Sequence, residues 1–125
     1  YLMLKGSLPT STELAAFKKD LYSRRSLPKE LKTVLEQIPS SAHPMDVMRT
    51  ITSFMGVIEP ENKDNDQLTI ALRLVACFGP AILYWYHFSN SGIRISAETD
   101  PSDSISENFM KLLLLTDKVD KTLIK

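Results

Sequence analysis

From Asp66 to Phe88 the chain carries apolar residues at spacings that eventually surround the whole circumference of a helix instead of following one stripe. Such a helix has no side to leave in water, so other elements must cover it. Its most apolar part, Leu74 to Phe88, is about 15 residues long between Arg73 and Ser89, short of the roughly 20 needed to cross a bilayer. Gly79-Pro80 interrupts it, and the proline ring removes a backbone donor and crowds the preceding turn, which predicts a kink. The segment therefore reads as a buried core helix.

The rest of the chain supplies helices to cover it. Thr10 and Glu13 have the spacing of a capping box, followed by Leu14, Phe17 and Leu21 on one face, which predicts a helix over about 11–25. Pro28 opens a second over about 28–38, with Leu31, Val34, Leu35 and Ile38 at helical spacing and Pro39 closing it. Pro44 opens a third, striped by Val47, Met48, Ile51, Met55 and Ile58, widened by Phe54 and ended at Pro60. Asn90-Ser91-Gly92 stops the long helix, and 93–103 reads as a loop in which Ile93-Arg94-Ile95 could pair briefly as a strand. Ser104 with Glu107 makes a second capping box for a helix running to Leu115. At the ends, Tyr1 to Gly6 resembles the last turn of a helix, and Asp117 to Lys125 resembles one just starting under an Asp117 cap. The expectation is an all-α chain of about five to seven helices, residues 1–125 forming one helical segment of a larger domain cut at both ends.

Composition removes several function classes. Fifteen basic residues balance fifteen acidic ones, and no basic stripe suited to nucleic acid is present. One cysteine, Cys77, lies inside an apolar run and reads as a small buried hydrophobe, not a nucleophile. Two isolated histidines and that cysteine make no metal-ligand set, and there is no Gly-rich phosphate loop or Gly-x-Ser-x-Gly elbow. Glu98, Asp100, Asp103 and Glu107 lack EF-hand spacing and read as a solvated loop with helix-capping carboxylates.

Individual side chains receive structural readings. His43, ahead of Pro44, is placed to accept from a first-turn amide or anchor its loop, with contact to substrate or another domain as the alternative. His87, on the buried helix, is expected to be neutral and bonded to a carbonyl. Arg49 and Arg73 each call for a carboxylate or an interface rim, with Asp46 a local partner for Arg49. Tyr84, Trp85 and Tyr86 with Met45, Met48 and Met55 read as helix packing, internal or between subunits.

The segments His43-Pro44-Met45-Asp46-Val47-Met48-Arg49-Thr50 and Leu83-Tyr84-Trp85-Tyr86-His87-Phe88-Ser89 resemble the citrate synthase family, specifically its methylcitrate branch. Leu8-Pro9-Thr10, Glu13 to Phe17, Leu27-Pro28, Glu59-Pro60-Glu61, Gly92, Arg94-Ile95, Thr99-Asp100 and Ser104-Ile105 follow in matching order, so the resemblance covers essentially the whole chain. Ser106-Glu107-Asn108 departs from it, because relatives often carry glycine and histidine there.

The resemblance implies part of the N-terminal portion of a large helical domain. It further implies a parent acyltransferase that condenses propionyl-CoA, or acetyl-CoA, with oxaloacetate and water. The family uses an Asp base, an enol-stabilising His and further His and Arg residues, none of which is matched here. No catalytic, cofactor-binding or metal-ligating residue is therefore assigned, and no cofactor is expected, acyl-CoA being a substrate. The resemblance implies a homodimer through helices near 44–58 and 68–88, with no nucleic acid or membrane partner, in the cytoplasm of a bacterium or the mitochondrial matrix of a eukaryote. A non-catalytic helical oligomerisation or interaction module on the same scaffold is the alternative.

Overall fold

Local chemistry sets where each helix begins and ends. In the computed structural model, which describes residues 1–97 and 99–124, a short α1 (Leu2–Lys5) closes on Gly6 at φ 79°, the left-handed conformation that costs glycine least. Thr10 Oγ1 accepts from the Glu13 amide, and Glu13 returns a carboxylate to the Thr10 N–H at 2.7 Å, opening α2 (Ser11–Ser23). Pro28 precedes α3 (Lys29–Gln37), which stops at Ile38 ahead of Pro39. His43 caps α4 (Pro44–Ile58). Asp66 Oδ1 accepts from Thr69 N at 2.9 Å to start α5 (Gln67–Ser91), which ends on Gly92 at φ 68°. Ser104 and Glu107 form the second reciprocal cap, for α6 (Ile105–Leu114).

Helix α5 is the axis of the molecule. Helices α2, α3, α4 and α6 all pack against it, and α3 also packs on α4. Leu31 and Leu35 of α3, Val47, Ile51 and Met55 of α4, and Leu112 of α6 meet Cys77, Ala81, Leu83, Tyr84 and Trp85 in one continuous core. Leu21 of α2 packs with Leu72 and Ala76 in a smaller cluster, supported by Phe17 and Leu68. Each fully buried Leu, Ile or Val contributes roughly 1.5–3 kcal/mol, so helices of 9 to 15 residues are held mainly by their packing. Among the described residues the architecture is all-helical.

Several expectations are corrected. Helix α5 runs close to the expected 66–88, three residues further at its end, and although its most apolar part is about 15 residues long, the whole 25-residue helix could cross a membrane by length and composition alone. Its packing against four other helices makes it a core helix nonetheless. At Pro80 the helix continues and the ring is buried, so packing offsets the one lost backbone bond. Ile93-Arg94-Ile95 forms no strand; Ile95 turns into the core while the Arg94 guanidinium reaches Glu36.

Asp117 caps no helix. Leu115 leaves α6 in the left-handed region at φ 50°, and Thr116 Oγ1 bonds both the N–H and the carbonyl of Lys118, folding 116–118 into a turn. The next cap is Asp120, and it opens only a 3-10 turn, Lys121–Leu123. Lys125 lies outside the described residues.

Candidate functional site: an apolar face on helices α4 and α5

Helix α5 leaves one apolar stripe only partly covered. Val75, Gly79, Ile82 and Tyr86 recur at i, i+4, i+7 and i+11 and so share a face; Val75 and Tyr86 are 44% and 46% exposed. The stripe borders a groove of about 490 Å³ whose other walls are Met48 of α4, Ile105, Phe109 and Met110 of α6, and Leu123. On α4, Met45 and Val57 are more exposed still, and Phe54 and Val57 line a shallower depression beside Arg49. Scattered exposed apolar residues are ordinary, and Val57, nine residues from Met48 and so on the opposite side of α4, is one of them; the α5 stripe and its groove form the more continuous apolar patch.

Polar contacts fix the geometry of these helices from behind. Arg73 of α5 donates to both oxygens of Glu59, just past α4, at 3.0 Å each, and to the carbonyls of Arg24 and Ser26 beyond α2. Tyr84 donates to Glu36 Oε1 at 2.7 Å, where Arg94 also donates, and Arg94 reaches Oε2 at 3.2 Å. Trp85 Nε1 donates to the Ile38 carbonyl at 3.2 Å. The Arg94 guanidinium lies 5.0 Å from the Phe88 ring centre. Together these contacts tie α2, α3 and α4 to the central helix.

The residues singled out from sequence occupy separate places and build no common reaction centre. His43 Nδ1 accepts the Met45 amide at 3.1 Å, the capping role expected of it. His87 Nε2 lies 2.8 Å from the Leu112 carbonyl and must donate to it, since a carbonyl only accepts. That bond satisfies one of the orphan acceptors at the end of α6. Arg49 sits 3.6 Å from Asp46 with both side chains largely in water, a weak pair. Cys77 is fully buried, and burial pushes its thiol up to about 11, away from the thiolate needed for nucleophilic work. Of the aromatic run, Tyr84 and Trp85 are buried and Tyr86 faces outward.

The acidic loop is less solvated than expected. Glu98 lies outside the described residues, Asp100 bonds Ser102 within its own turn, and Glu107 caps α6. Asp103, however, is buried: its carbonyl accepts from Arg25 Nη2 at 2.7 Å, and Oδ1 meets Lys111 Nζ at 2.6 Å. Among the described residues, Arg25 Nη1 and Asp103 Oδ2 find no partner. Desolvation lowers the Arg25 pKa, and the Asp103 charge opposes that shift. Sequence spacing could not reveal this cluster, because Arg25 and Asp103 are 78 positions apart. Among the described residues no three His, Cys, Asp or Glu side chains are grouped to hold a metal.

A family model described as citrate synthase, C-terminal domain, matches residues 1–125. The chain belongs to the citrate synthase family. It is 52% identical over 113 residues to the 2-methylcitrate synthase of Shewanella oneidensis, covering 90% of this chain and 30% of that protein. A citrate synthase-related protein of Dictyostelium discoideum is 46% identical over 113 residues, with 90% and 27% covered. The chain thus spans less than a third of the length of these relatives. Among solved structures, citrate synthase from Thermotoga maritima superposes with a TM-score of 0.80 at 25% identity, over 99% of this chain and 31% of the other.

Within the citrate synthase pattern, the departure at Ser106-Glu107-Asn108 has a local structural use. Glu107 completes the α6 cap, and Asn108 is buried with Nδ2 donating to Thr99 Oγ1 at 2.9 Å, which fastens the preceding loop to the helix.

Proposed function

We propose that the enzyme carrying this segment condenses an acyl-CoA, propionyl-CoA in preference to acetyl-CoA, with oxaloacetate and water to give 2-methylcitrate and free CoA. The observation that carries this reading is the 52% identity to a 2-methylcitrate synthase. Identity to the citrate synthase of Deinococcus radiodurans is 32%, over 64% of the chain. In this reading the 125 residues supply scaffold and a face for a second copy, and the reacting groups come from elsewhere in the enzyme. The outward apolar positions Met45, Val75 and Tyr86, with the groove that Met48 closes, support a self-association face on α4 and α5. The buried thiol and the dispersed histidines fit a segment without reacting groups.

Thiol release from propionyl-CoA and from acetyl-CoA, each with oxaloacetate, tests the reading in the enzyme that contains this segment and in residues 1–125 alone. The enzyme is expected to release CoA faster from propionyl-CoA, and the 125-residue chain to release none. Release by the short chain would overturn the scaffold assignment, and faster turnover of acetyl-CoA would overturn the substrate preference. No turnover of either thioester by the enzyme would favour a non-catalytic helical module.

A further inference from the structure

We draw no further inference here: the strongest candidate, the apolar groove between α4, α5 and α6 lined by Met48, Phe78, Ile82, Phe109 and Met110, is continuous with the face already proposed for self-association, and nothing in the structure shows what else covers it.

Discussion

Arg73 serves more acceptors than any other side chain at the α4–α5 junction, and its removal leaves Glu59 and two carbonyls without their donor. Arg73→Ala is expected to cost about 2–3 kcal/mol in urea unfolding, less than a fully buried pair because Glu59 keeps 35% of its side chain in water. Arg73→Lys should recover little, since one ammonium cannot span acceptors on three sides. A loss under about 0.5 kcal/mol would place Arg73 among ordinary surface pairs. Glu36 makes a different prediction. Donation from Arg94, and then from Tyr84, holds its carboxyl below the ordinary value of 4.5. A depressed carboxylate stabilises the fold fully above 4.5, and that contribution disappears as pH falls through the lowered folded value. Glu36→Gln should therefore flatten the decline in stability between about pH 5 and pH 3; matching slopes in the two proteins would show that Glu36 does not titrate with folding. The partners of Glu36 lie 48 and 58 positions away, which is why neither this group nor Asp103 could be read from the sequence. His43 could, because its acceptor role closes within two residues.

Helix starts were legible for the same reason. A capping box is complete within four residues, and both boxes form where Thr10 and Ser104 place them. The terminal segment was misread because Asp117 has the right side chain in the wrong backbone: the Thr116–Lys118 turn holds the chain away from a helical start. A left-handed Leu115 carries no signature comparable to glycine, so that turn was invisible. Two glycines inside helices allow a paired test of packing between elements. A Cβ at Gly56 meets nothing within 4 Å, so Gly56→Ala should stabilise by about 1 kcal/mol through helix propensity alone. A Cβ at Gly79 would lie 3.3 Å from Phe109 Cδ2, where α6 crosses α5. Gly79→Ala should gain less than Gly56→Ala, the shortfall measuring how far Phe109 must shift. Equal gains in thermal or urea melts would mean that the α5–α6 crossing has slack.

At the scale of the whole molecule, formal neutrality means that no strong net charge opposes the approach of a second copy, so the proposed self-association rests on the apolar face. Val75→Glu and Tyr86→Glu place charge on that face at exposed positions. In the enzyme they are expected to shift sedimentation toward monomer while helical content is unchanged and the unfolding free energy of the separate subunit stays within about 0.5 kcal/mol of the parent. Unchanged sedimentation with both charges present would remove the α5 stripe from the interface. The central position of α5 also bears on how such a chain tolerates change over generations. Helices α2, α3, α4 and α6 each lean on α5 and, α3 with α4 excepted, meet one another far less. A substitution on one outer helix can therefore be compensated where it arises, leaving the others free to vary. A substitution on the inner side of α5 has to suit several neighbours at once, so the slowest-drifting residues are expected to trace that single rod through the middle of the molecule.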